Sequence, residues 1–214
     1  MTLVKICGIT NLDDALRAVS AGADALGFNF YRPSPRYITP DAARTIIDRL
    51  SEEGPPDLLT VGVFVNESAD AIKKVADVAR VSALQLHGDE SPEYCKALKS
   101  YYLIKVFSTG DEFAPEMVLK YDVEAVMLDA VAEKVFGGTG KLSNWSAAQK
   151  TRELFPKLFL AGGLSADNVA EAINQVKPYA VDACSRLESA PGRKDHYKVS
   201  AFVNAVRAAT ASVQ

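Results

Sequence analysis

Two side chains far apart in the sequence are suited to moving protons: the thiol of Cys7 and the carboxyl of Asp129. A thiol near a cation or a helix N-terminus ionises more easily and can then accept a proton from a substrate carbon. A carboxyl partly sheltered from water holds its proton nearer to neutral pH and can deliver it to a substrate oxygen. Gly162-Gly163 and Ser185-Arg186 offer backbone N–H groups of the kind that cradle a phosphate. Arg36 lies in the proline-stiffened stretch Tyr31-Arg32-Pro33-Ser34-Pro35-Arg36-Tyr37, and its planar fork suits a carboxylate. His87 and Asp182 are two further polar residues at the ends of apolar runs and are candidates for contact with the substrate. Each of these has a plainer reading when taken alone. Cys7 would be a small core hydrophobe, Asp129 a loop cap and Arg36 a solvated surface cation.

What sets these residues apart is the pattern of elements around them. Eight short apolar runs read as buried strands: Leu3–Ile9, Ala25–Phe30, Leu58–Val65, Ala83–Leu86, Tyr102–Phe107, Ala125–Leu128, Leu158–Ala161 and Ala180–Ala183. Between them, apolar residues recur at helical spacing over Leu12–Val19, Ala43–Leu50, Ile72–Ala79, Val169–Val176 and Val199–Val206. The stretches after Ser91, near Glu112 and after Ser143 carry weaker periodicity. Thr39-Pro40 and Ser91-Pro92 pair a capping hydroxyl with a proline that has no N–H to lose, and Asn11 and Ser165 read as further caps. Strand–helix alternation eight times over in 214 residues predicts a single α/β domain over 1–214, a (β/α)8 barrel with parallel strands. An open doubly wound sheet is the alternative, and the chain has no dinucleotide fingerprint to support it.

A barrel builds its site at the carboxyl ends of its strands, which is where all the candidates fall. Alternation along the first strand sends Leu3, Lys5 and Cys7 into the barrel and Val4 and Ile6 toward the helices. An inward ammonium at Lys5 then needs a carboxylate partner, for which Asp182 is the candidate. Loops after strands seven and eight commonly hold phosphate, which assigns that task to Gly162, Gly163, Ser185 and Arg186. Gly137-Gly138-Thr139-Gly140-Lys141 does not follow nucleotide-loop spacing and reads as a flap over the site.

Composition narrows the field. With 24 Lys and Arg, 27 Asp and Glu and a net charge of −3, the chain has no clustered basic face for nucleic acid. Three cysteines and two histidines suggest neither a disulfide framework nor a zinc cluster, so no metal and no cofactor are expected. No run approaches the ~20 apolar residues of a membrane span, and Asp13 and Asp14 interrupt any secretory pattern. The expectation is a reduced, cytoplasmic protein, a monomer or homodimer, that acts on a small phosphorylated molecule.

The motifs Lys5-Ile6-Cys7-Gly8-Ile9-Thr10, Gly27-Phe28, Ser34-Pro35-Arg36-Tyr37-Ile38, Val61-Gly62-Val63-Phe64, Leu84-Gln85-Leu86-His87-Gly88, Leu128-Asp129, Gly137-Gly138-Thr139-Gly140, Leu160-Ala161-Gly162-Gly163-Leu164 and Val181-Asp182 occur in order along nearly the whole chain. As a set they resemble the phosphoribosylanthranilate isomerase family. The resemblance implies a barrel of tryptophan biosynthesis that carries out a cofactor-free Amadori rearrangement. Asp129 would be the general acid, Cys7 the general base, Arg36 the grip on the anthranilate carboxylate and Asp182 a contact to sugar hydroxyls. The phosphate would rest on amides of Gly162, Gly163, Ser185 and Arg186. One departure stands out: small residues are usual in that family where this chain has Cys184-Ser185-Arg186, and a positive φ there would strain an arginine. The competing readings are a related histidine-pathway isomerase with two phosphate grips, a silent sugar-phosphate sensor, and a Schiff-base enzyme using Lys5 or Lys105.

Overall fold

Residues 1–110, 112–129 and 145–211 are described by the computed structural model, in which eight parallel strands close on themselves in sequence order. They are β1 (Leu3–Cys7), β2 (Ala25–Asn29), β3 (Leu59–Phe64), β4 (Ala83–Leu86), β5 (Tyr102–Ser108), β6 (Ala125–Asp129), β7 (Leu158–Ala161) and β8 (Ala180–Ala183). Closure is made by β1, which pairs Lys5–Cys7 with Ala25–Gly27 of β2 and Leu3–Ile6 with Ala180–Ala183 of β8. That closure rules out the open sheet. The strand runs read from the sequence hold to within a residue or two. β1 stops at Cys7 because Gly8 and Ile9 both donate to the Gly27 carbonyl at 2.9 Å, turning the chain off the ladder.

Around the barrel lie α1 (Leu12–Ala21), α2 (Pro40–Glu53), α3 (Ala69–Ala79), α4 (Pro92–Lys96), α5 (Ser146–Leu154), α6 (Val169–Val176) and α7 (His196–Ala211). The expected caps at Asn11, Thr39 and Ser91 accept from the backbone N–H groups of Asp14, Ala42 and Tyr94. Ser165 does not cap α6. Its own N–H donates to Asn168 Oδ1, and the helix starts after Asn168. The weakly periodic stretches become the five-residue α4, a 3-10 turn over Pro115–Lys120 and α5, since none carries a sustained apolar stripe.

The apolar side chains divide into two shells. Val4, Ile6, Leu26, Phe28, Leu84 and Leu86 face outward against helical residues such as Ile46, Ile72, Val199 and Phe202. Ala25, Val61, Ala83, Ile104, Met127, Phe159 and Ala180 fill the bore, joined by Leu3. Small and large residues alternate in that inner shell, so the barrel is a packed core and not a pore. The face assignment along β1 is therefore as the alternation required.

Past β8 the chain makes a 3-10 turn over Ser185–Leu187 and then an antiparallel ribbon, β9 (Glu188–Ala190) and β10 (Arg193–Lys194). Strands of three and two residues are too short for periodicity to reveal. Pro191-Gly192 between them is a turn signal, but it says nothing about what the ribbon carries.

Candidate active site

The β1–β8 seam is dry and densely charged. Lys5 is fully buried in the bore, and its ammonium donates to Asp182 Oδ1 at 2.7 Å, the pairing its inward position demanded. Burial alone would lower the Lys5 pKa, but the negative charges of Asp182 and Cys7 outweigh it and keep the group protonated above its ordinary value. At Asp182, by contrast, burial dominates. It pushes that carboxyl up to about 6 against the pull of Lys5, helped by the charges of Cys7 and Asp129.

Cys7 is only 8% exposed. Its sulfur occupies space that a side chain on β2 would fill: a Cβ at Gly27 would stand 2.7 Å from it. A hydrogen bond with the Cys184 side chain holds the Cys7 thiol well below the ordinary range despite burial, with further help from the ammonium groups of Lys5 and Lys194. The same hydrogen bond, together with burial, pushes Cys184 upward.

The ribbon after β8 explains the rest of the charge on this side. Glu188 receives Arg36 in a two-pronged pair, Nε to Oε1 at 2.8 Å and Nη2 to Oε2 at 2.7 Å. Lys194 donates to Glu188 Oε1 at 3.2 Å and to the Cys184 carbonyl at 3.2 Å. Arg36 does have the bidentate carboxylate partner its fork suits, but that partner is the protein's own Glu188. Its loop is fixed at the root, where Ser34 Oγ accepts from Asn29 Nδ2 and from the Arg36 N–H.

Across the mouth the surroundings are wet. A cavity of about 630 Å³ is lined by Asn66, His87, Asp129, Gly162, Gly163 and Ser185, among others. Asp129 and His87 are each 37% exposed, with Nε2 of the ring 3.4 Å from Asp129 Oδ2. Gln85, buried on β4, places the end of its side-chain amide 3.2 Å from His87 Nδ1, within hydrogen-bonding reach of the ring. Gly162 and Gly163 both take left-handed backbone (φ 94 and 69), which a side chain would resist. Arg186 is exposed and its φ is not positive, so the strain raised by its departure from the family pattern is not met.

The cavity therefore gathers His87, Asp129, Gly162, Gly163 and Ser185, while Cys7, Asp182, Arg36 and Arg186 are not among the residues that line it. The flap at Gly137–Lys141 falls outside the described residues. Lys105 is spoken for: its ammonium donates to Glu90 Oε2 at 2.8 Å and to the Gly88 carbonyl at 2.6 Å. Asp13, Asp14 and His196 approach one another closely enough to suggest a metal site. Asp14, however, already accepts from Asn11, His196 and the Lys194 N–H, so the trio ties α1 to the start of α7. Among the described residues no helix is long and apolar enough to cross a membrane. Glu188, Lys194 and the contact between Cys7 and Cys184 were invisible to spacing arguments, because the ribbon's return toward β1 is a tertiary fact. The unusual cysteine at 184 was the one signal present.

The family profile described as N-(5'-phosphoribosyl)anthranilate (PRA) isomerase matches residues 4–205. A relative bearing that name from Geobacter sulfurreducens is 49% identical over 203 residues, covering 95% of this chain and 97% of its own. The crystal structure of phosphoribosyl anthranilate isomerase from Thermotoga maritima aligns at a TM-score of 0.86 with 42% identity, over 97% of this chain and all of the other. A second such crystal structure holds reduced 1-(o-carboxyphenylamino)-1-deoxyribulose 5-phosphate; it aligns at a TM-score of 0.83 with 40% identity and covers 97% of this chain and 100% of its own.

Proposed function

This chain belongs to the phosphoribosylanthranilate isomerase family, and from that premise we propose that its two unlike rims divide the family's rearrangement between them. The substrate is N-(5-phosphoribosyl)anthranilate and the product 1-(2-carboxyphenylamino)-1-deoxyribulose 5-phosphate, formed in the cytoplasm by proton transfers alone. Asp129 protonates the ribose ring oxygen, and the ring opens to a Schiff base. Cys7, ionised by its neighbours, removes the proton on the sugar C2, and the enolamine relaxes to the ketone. Transfers of this kind each contribute roughly 10²–10⁴ in rate. His87 acts through Asp129, holding its carboxyl from the side. The phosphate rests on the amides of Gly162, Gly163 and Ser185, with Arg186 completing the loop. Arg36 turns toward the anthranilate carboxylate while Glu188 keeps the guanidinium in plane. Asp182 orients sugar hydroxyls from its place beside Lys5.

The observation that carries this reading is that Cys7 and Asp129 are the last residues of β1 and β6, which puts both at the carboxyl end of a closed parallel barrel, where Asp129 lines a cavity with Gly162, Gly163 and Ser185. The rival readings lose support on the same ground. Both candidate Schiff-base lysines are buried in ion pairs, so borohydride should trap no adduct. A second phosphate at the β3–β4 loops would meet Asp89, which already lines the cavity, and Glu90, which is committed to Lys105. The direct experiment is to add the purified protein to phosphoribosylanthranilate and follow the loss of its fluorescence. No loss at micromolar protein would overturn the proposal.

A further inference from the structure

The mechanism uses one sulfur, yet the structure brings two together. β1 and β8 are in register through Ile6 opposite Ala183, so the next residue on each chain is a cysteine. Neighbouring strands lie about 4.8 Å apart, inside the roughly 4.4–6.8 Å between Cα atoms that a disulfide spans. The alternation that sends Lys5 and Asp182 into the bore and Ile6 and Ala183 outward puts both cysteines at inward positions. A Cβ on Gly8, the residue after Cys7, would lie 2.9 Å from Cys184 Sγ, so that sulfur packs against the β1 chain directly beyond Cys7. Lys194 Nζ stands 3.8 Å from Cys184 Sγ. Cys184 is partly exposed and Cys7 slightly so, which leaves a small oxidant a route in from the mouth. Both are free thiols here.

We propose that Cys7 and Cys184 form a redox-reversible modification site, in which hydrogen peroxide or a small organic hydroperoxide drives a disulfide that disarms the catalytic base. This rests on the assignment of Cys7 as that base. In the first step the Cys7 thiolate attacks a peroxide oxygen: an S–O bond forms, the O–O bond breaks, and the departing hydroxide takes a proton to become water. In the second, the Cys184 sulfur attacks the sulfenic sulfur of Cys7. The S–S bond forms as the S–O bond breaks, and the leaving hydroxide departs as water with the Cys184 proton. The two thiols lose two electrons in all and the peroxide gains them. Thiolate character at Cys7 favours the first step. Without a nearby resolving thiol, oxidation continues to the sulfinic acid, which thiol reductants do not reverse.

The test uses the full chain. The protein is treated with hydrogen peroxide, split for peptide mass mapping and for the isomerase assay, and then treated with dithiothreitol. The expected result is a Cys7–Cys184 cross-linked peptide, loss of at least about 90% of the rate, and recovery on reduction. Cys95→Ser, which removes the third cysteine, should behave the same way. Cys184→Ser, compared with its own untreated rate, should lose activity that dithiothreitol does not restore. Absence of the cross-linked peptide, or equal recovery in Cys184→Ser and the parent chain, would overturn the inference. A cross-link that left the rate untouched would support the modification site and instead sink the role of Cys7 as base.

Discussion

The two rims of the barrel mouth, to which we assign the two proton transfers, offer opposite surroundings. On the β1–β8 rim, Lys5 pairs with Asp182, and Arg36 and Lys194 both pair with Glu188, in largely buried surroundings that include a sulfur only 8% exposed. On the β4–β6 rim, Asp129 and His87 face a cavity and are each 37% exposed. The difference suits the work proposed for each group. A thiol becomes a useful base only if cations and a hydrogen-bond donor stabilise its ionised form, and those act strongly where water is excluded. A carboxyl acid must exchange its proton with solvent in every turnover, which open surroundings permit.

Several experiments would break this contrast or sharpen it. The largest expected effect is at the transfer groups themselves. Cys7→Ala and Asp129→Asn should each lose at least about 100-fold in turnover while substrate dissociation constants change little. Next comes Asp182→Asn, which strands a buried ammonium at Lys5. It should cost on the order of 3–5 kcal/mol of stability in urea unfolding, whereas Asp129→Asn on the wet rim should unfold like the parent. A smaller effect is expected at Arg36→Ala, which should raise KM more than it lowers turnover; the reverse would move Arg36 into the chemistry. The smallest concerns acid stability. Burial would raise the Glu90 pKa, but its bonds to Lys105 and to backbone N–H groups win and hold it below its ordinary value. The stability this contributes is present above the unfolded value near 4.3 and is lost as pH falls through the lower folded value. Unfolding midpoints measured from pH 5 downward should fall, and Glu90→Gln should flatten that slope.

How much of this was readable beforehand depended on whether a property was periodic or tertiary. The eight strands, the inward Lys5 and its pairing with Asp182 followed from alternation and from the cost of burying a lone charge. So did the gathering of Asp129, Gly162, Gly163 and Ser185, because a barrel brings all its strand ends to one face. Glu188 was not readable. It sits on a three-residue strand whose return toward Arg36 depends on the turn at Pro191-Gly192 and on Lys194 docking beneath Cys184. Ser165 misled because a hydroxyl near a helix start can also serve the turn ahead of it, while Asn168 stands next to the first helical residue.

The claim that the two rims serve different steps is tested most directly with substrate deuterated at C2 of the sugar. If Cys7 takes that proton, Cys7→Ser should be slow at C–H cleavage and show a full primary isotope effect on turnover. Asp129→Asn, held up at ring opening before C2 is touched, should show none. An isotope effect in Asp129→Asn that is missing from Cys7→Ser would contradict the account.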